Sequence, residues 1–298
     1  DRCRSLGPKG EAGGVVKYSV CSGVLPELGP EQVVETLARH GYDGVEWRVN
    51  GEYHFSKATI DAEAPRIKAM CDARGIAVAG LTTFVEPDDD DDIRRMIAGA
   101  QGMGCPRFRF FSGRYDKSLG YRAILDATKI KLVNAQRLLD GSGVKGLIEV
   151  HFGTIACGPA TARELVGECD PGLIGVIWDP GNMVIEGSMD LQMSVDILGE
   201  YIDHVHVKNT RWEPLEDGTW RWRFDELAEG TLNWAEAIAG LARIGYDGYL
   251  SFENLYRVPV KHRGFIGEDL TIGSDTIRDI DQRLSHELAY TRRLVVEA

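Results

Sequence analysis

The chain has 298 residues, of which 43% are hydrophobic and 27% charged, and its formal net charge is −12. That acidic balance argues against nucleic acid as a principal partner, because binding a phosphate backbone needs a basic footprint. No window approaches the roughly 18 apolar residues that span a bilayer, so no membrane partner is expected.

Residues 1–14, with no initiator Met and no apolar core, read as a trimmed or flexible leader, and 15–298 as one domain. Val15–Val20 is the first apolar run, followed by a helix carrying Val33, Val34, Leu37 and Ala38 on one face and closed by Gly41. Tyr42–Val49 is the second strand, Ile60–Arg74 a helix and Ile76–Phe84 the third strand. Ile93, Met96, Ile97, Ala100 and Met103 recur at helical spacing, and Arg107–Phe111 is the fourth strand. The acidic run Asp88–Asp92 decorates the start of that helix, where backbone N–H groups favour negative charge, and it lacks the spaced ligands of a calcium loop.

Tyr121–Leu139 is a long helix, and Gly146–His151 the fifth strand. Ala160–Glu168 (helix), Ile174–Asp179 (strand), Leu191–Leu198 (helix) and Ile202–Lys208 (strand) keep the alternation, as do Trp234–Ile244 (helix) and Tyr249–Glu253 (strand). A last helix from about Asp275 carries Ile277, Ile280, Leu284 and Leu288. Eight alternations with Gly-punctuated joints predict an α/β fold, a single (β/α)8 TIM barrel, and no GxGxxG supports a dinucleotide fold. Two long connections follow strands at the C-terminal mouth. Thr210–Asn233 reads as a hairpin with Trp212, Trp220 and Trp222 around Asp217-Gly218, and Leu255–Gly273 as a second long loop. The six cysteines form no CxxC pair; they read as scattered thiols of a reducing cytoplasm and make no zinc–thiolate site.

Glu149, Asp179, His206 and Glu253 each stand where an apolar strand stops. In a barrel such ends converge on one mouth, and three carboxylates meeting there would repel unless a cation joined them. With one imidazole they make a cage for one divalent metal, Mn²⁺ before Mg²⁺ or Co²⁺. His204 lies one layer deeper and reads as a core or supporting histidine.

The strings LIEVHFGT, VIWDPGNMV, HVHVKN and YLSFEN, in order at four strand ends, resemble the xylose-isomerase-like TIM-barrel superfamily of sugar isomerases and epimerases. The resemblance spans about Tyr18 to Glu253. It implies that Glu149, Asp179, His206 and Glu253 bind one metal, and that Glu149 and Glu253 can exchange protons with substrate. Against tagatose-3-epimerase-like members, this chain has Asn182 in place of a histidine and Ile155 in place of a glutamate. Arg211 matches their substrate-binding arginine, and His151 adds a possible base. Other branches of the superfamily are hydroxypyruvate isomerases, inosose and dehydroshikimate dehydratases, and the catalytic subunits of C-glycoside deglycosidases, which act on 3-oxo-glycosides beside a small β-rich partner.

The expected activity is thus an isomerase or epimerase acting on a keto-sugar through an enediolate. A lyase acting on a 3-oxo-glycoside by β-elimination, or a dehydratase, is the alternative, and an abasic-site endonuclease the remote one. Glu149, Glu253 or His151 would move the proton; Asn182, Lys208 and Arg211 would orient substrate oxygens; Trp212 and its hairpin would exclude water. The assembly is expected to be a homo-oligomer, or a hetero-oligomer with a small β-rich subunit.

Overall fold

The computed structural model describes residues 15–50, 54–254, 261–262, 265–266 and 274–298. The proposed leader therefore lies outside the described residues. In chain order the strands are β1 (Lys17–Cys21), β2 (Gly44–Arg48), β3 (Ala77–Val85), β4 (Arg107–Phe110), β5 (Lys145–Glu149), β6 (Ile174–Trp178), β7 (Ile202–Val207), β8 (Asn209–Pro214), β9 (Trp220–Asp225) and β10 (Tyr249–Phe252). All but β8 and β9 close a parallel barrel in the order β1-β10-β7-β6-β5-β4-β3-β2. At the seam Lys17 pairs with Tyr249 and Ser19 with Ser251. The expected (β/α)8 barrel is the fold.

Around it run α1 (Pro30–His40), α2 (Ile60–Asp72), α3 (Asp90–Met103), α4 (Tyr121–Leu139), α5 (Pro159–Val166), α6 (Pro180–Ile185), α7 (Leu191–Leu198), α8 (Trp234–Arg243) and α9 (Ser274–Glu297). Local signals explain their limits. Pro30 opens α1, and Gly41 closes it at φ +79°, a conformation costly for any residue with a Cβ. Val33, Val34 and Leu37 are buried on its inner stripe, each worth about 1.5–3 kcal/mol of apolar burial. Asp89 caps α3 by accepting the Asp92 N–H at 3.0 Å, so the acidic run does serve a helix start. One helix, α6, was not anticipated.

Strand alternation sorts the core. Trp47, Phe108, Phe110, Ile148, Trp178, Val205, Leu250 and Phe252 are fully buried and belong to the apolar core. The opposite parity carries Glu46, Arg109, Glu149, His204, His206 and Ser251, which are joined to one another by hydrogen bonds. A barrel interior of this kind is usually filled with branched apolar residues; here charge replaces them.

The hairpin β8–β9 is the one expected over Thr210–Asn233, with Trp212 opposite Trp222. Of Leu255–Gly273, the structure describes only the antiparallel pair Lys261–His262 and Phe265–Ile266. No described helix is long and apolar enough to cross a membrane. Cys21, Cys71, Cys105, Cys157 and Cys169 are all free thiols.

Candidate metal centre

Glu149 ends β5, His206 lies in β7, and Asp179 and Glu253 directly follow β6 and β10. All four are buried. Nδ1 of His206 lies 3.0 Å from Glu149 Oε1, 3.2 Å from Glu253 Oε2 and 3.5 Å from Asp179 Oδ2. One ligand atom from each of the four falls within 4.8 Å of all the others.

Each carboxylate is held so that one oxygen turns inward. Glu149 gives Oε2 to the Arg109 guanidinium and leaves Oε1 facing His206. Asp179 caps α6, accepting the Asn182 N–H on Oδ1 at 3.0 Å, and Oδ2 faces the centre. Glu253 has Oε1 on the side of Arg48, at 3.8 Å, and Oε2 inward. The Lys208 ammonium lies 2.6 Å from Asp179 Oδ2 and 2.9 Å from Glu253 Oε2. Gly181 makes room for it, since a Cβ there would lie 2.5 Å from Lys208 Cγ.

Burial opposes charge on Glu149, Glu253, His206 and Lys208, and the neighbours overrule it. Arg109, then His151 and His206, hold the Glu149 carboxyl below the usual range. Lys208 and His206 hold Glu253 well below it. Lys208 is pushed upward by Asp179 and Glu253, and His206 well upward by Glu46, Glu253 and Glu149. Three carboxylate oxygens and one imidazole nitrogen converge, and the buried Asn182 Oδ1 has no partner among the described residues. That hard, anionic donor set fits a divalent cation.

Sequence reasoning missed the groups that support this cluster. Glu46 on β2 receives Ser251 Oγ at 2.6 Å, Thr82 Oγ1, His204 Nε2 at 3.0 Å and His206 Nε2 at 3.1 Å. Arg109 on β4 also donates to the Thr83 carbonyl at 3.0 Å. The signal was present: Glu46 and Arg48 in GVEWR, and Arg107 and Arg109 in RFRF, alternate with large apolar residues. His204 is fully buried one layer down, as anticipated, with Arg107 Nη1 3.3 Å from its Nδ1.

The remaining sequence candidates divide. His151 is not in β5, which stops at Glu149; it lies in the turn that follows, stacked on Phe152, its Nδ1 2.7 Å from the Phe152 carbonyl. Asn182 is buried inside α6, and its Nδ2 donates to Asp179 Oδ2 at 2.8 Å and to the Val150 carbonyl at 3.0 Å, so it orients Asp179. Arg211 stands apart from the cluster: it pairs with Asp225 and the Glu229 carbonyl, because alternation along β8 turns it to the face opposite Trp212. Trp212 is anchored by its Nε1 to the Val184 carbonyl of α6 at 3.0 Å. Trp222 meets Phe152 edge-to-face at 5.1 Å, tying the hairpin to the His151 turn.

The model of the xylose isomerase-like TIM barrel family matches residues 34–270. The chain belongs to that family. An inosose dehydratase of Bacillus cereus (strain AH820) is 23% identical over 263 residues, 78% of this chain and 80% of the relative. Among solved structures, D-psicose 3-epimerase with D-tagatose from Clostridium cellulolyticum H10 superposes with a TM-score of 0.72 at 15% identity, covering 94% of this chain and 99% of the other. The IOLI protein with a bound zinc atom gives 0.72 at 15% identity, covering 95% and 99%. At such identities the structural likeness establishes the fold.

Proposed function

We propose that this family member is a divalent-metal-dependent enzyme that removes the proton beside the carbonyl of a keto-sugar, with isomerisation or epimerisation as the outcome. The observation that carries this reading is the set of four inward donors of Glu149, Asp179, His206 and Glu253. A divalent ion held there, Mn²⁺ foremost, would polarise a carbonyl and offset the charge of an enediolate. The likeness to a family containing sugar epimerases supports the substrate class.

His151 is the base in this reading. Its Nδ1 faces the Phe152 carbonyl, which places the ring proton there and leaves the Nε2 lone pair available. Glu149 and Glu253 are poorer bases, because Arg109 holds the first and Lys208 the second below the usual carboxylate range. They hold the cation, while Asn182 fixes the angle of Asp179. Lys208 stays protonated and balances negative charge beside the reacting oxygens. Trp212 and the hairpin wall the mouth on the α6 side.

One observation favours a second outcome. With both glutamates tied to cations, His151 is the base not so tied, and one base suffices for elimination whereas racemising a carbon across two faces calls for two. A 3-oxo-glycoside would then lose its aglycone, as in the deglycosidase branch, or a β-hydroxy ketone would lose water, as in the dehydratase branches, with Lys208 charge aiding departure. The B. cereus dehydratase likeness supports this reading, and a small β-rich subunit copurifying with the chain would strengthen it.

The test is solvent exchange. In D₂O, the Mn²⁺-loaded protein should place deuterium α to the carbonyl of a keto-sugar, lose that ability with EDTA and regain it with Mn²⁺. Glu149→Gln and Glu253→Gln should abolish turnover, and His151→Ala should lower it roughly 10²–10⁴-fold. Full activity after exhaustive chelation rejects the metal reading. Release of aglycone from a 3-oxo-glycoside selects elimination.

A further inference from the structure

A file of hydrogen-bonding side chains runs down the barrel from His206 to the N-terminal end of the strands. Glu46 lies beneath His206, His204 beneath Glu46, and Arg107 beyond His204. Arg107 pairs through Nε with Asp203 Oδ1 at 2.7 Å, and Asp203 Oδ2 meets Lys145 Nζ at 2.6 Å. Lys145 opens β5 and is partly exposed, so the file starts near solvent.

We propose that Arg107, His204 and Glu46 act as positioning residues that fix His206 as an Nδ1 ligand. The inference rests on the metal reading above and adds which ring nitrogen serves and what decides it.

Donor counting settles each proton. A guanidinium has donors and no acceptor. With Arg107 Nη1 3.3 Å away, His204 Nδ1 must accept, which puts the ring proton on Nε2, facing Glu46 Oε2 at 3.0 Å. Glu46 already receives the hydroxyls of Thr82 and Ser251 in addition, so it is a pure acceptor with no proton to give. His206 Nε2, 3.1 and 3.2 Å from the two Glu46 oxygens, is therefore the protonated nitrogen. Nδ1 is left on the side of Glu149, Glu253 and Asp179.

The same count explains why Glu46, His204 and His206, although close enough to hold an ion themselves, have no need of one. Four donors satisfy the Glu46 carboxylate. A carboxylate behind a ligating imidazole also raises its basicity and fixes its plane. The apolar layers usual at this depth could do neither.

The experiment combines Mn²⁺ titration calorimetry with ¹⁵N NMR of histidine-labelled, Zn²⁺-loaded protein. The wild-type spectrum should show His206 bound through Nδ1 with a proton on Nε2. Glu46→Gln, whose amide can donate as well as accept, should weaken Mn²⁺ binding 10–100-fold. Arg107→Met should release the His204 tautomer and weaken Mn²⁺ binding less. Zinc on Nε2 in wild-type protein overturns the inference without any variant, so a failure of Glu46→Gln to fold leaves a decisive measurement. Unchanged affinity in folded Glu46→Gln also overturns it. A wild-type chain that binds no Mn²⁺ overturns the metal reading and this inference with it.

Discussion

Lys208 supplies a full positive charge to two of the three candidate ligand carboxylates while almost entirely buried. Removing one partner of a buried ion pair leaves the other uncompensated and costs about 3 kcal/mol or more. Lys208→Met should therefore destabilise EDTA-treated protein by roughly 3 kcal/mol, and Mn²⁺ should restore most of the loss, since the ion replaces the missing charge. Urea unfolding midpoints with and without Mn²⁺ check this; an equal loss in both conditions contradicts it. At this scale the four candidate ligands were legible because each interrupts an apolar run at a strand end. Glu46, Arg107 and Arg109 were not, although their alternation was visible, because a charge within a strand gains meaning only when its opposite charge is known. Those charges come from strands far along the chain. Arg211 was misplaced because a hairpin turns neighbouring residues to opposite faces, and sequence proximity to His206 carried no information about which.

Among the elements, the strands were readable to within a residue or two and α4 and α7 to the residue. Helix α6 was not, because Asp-Pro-Gly-Asn is equally good turn chemistry and only the packing of Asn182 against Asp179 distinguishes the two. Helix α9 was readable from its stripe, of which Ile280, Leu284 and Leu288 are buried; Ile277 falls outside the described side chains. That helix also buries Glu287, whose Oε1 has no partner among the described residues. Burial pushes its carboxyl from the ordinary 4.5 up to about 8, against Arg283 and a hydrogen bond with Asn254, with Glu226 adding to the rise. A carboxyl whose pKa is higher folded than unfolded binds its proton more tightly in the fold. Its contribution is thus complete below 4.5 and lost as pH climbs through about 8. Glu287→Gln, permanently neutral, should lack that loss: its Tm should rise relative to wild type between pH 5 and pH 9. A constant difference across that range would contradict the assignment.

For the whole molecule, the candidate ligands come from four separate strand ends of one closed barrel, so an ion there should hold the folded state together as one unit. Free Mn²⁺ at 100 times its Kd adds roughly 2.7 kcal/mol, which for a chain this long raises Tm by about 5 °C. Differential scanning calorimetry over an Mn²⁺ series checks it, and a Tm indifferent to Mn²⁺ would contradict a site at this place. The barrel itself was legible from the eightfold alternation alone. The polar file through its centre was not, since it exists only after closure brings β2, β4 and β7 face to face. That file also orders events on the ribosome. The first four strands emerge bearing Glu46, Arg48, Arg107 and Arg109, whereas Glu149, Asp203, His204, His206 and Glu253 are translated later. Until those later strands arrive, the first four lack the partners that Glu46, Arg48, Arg107 and Arg109 hold in the closed ring.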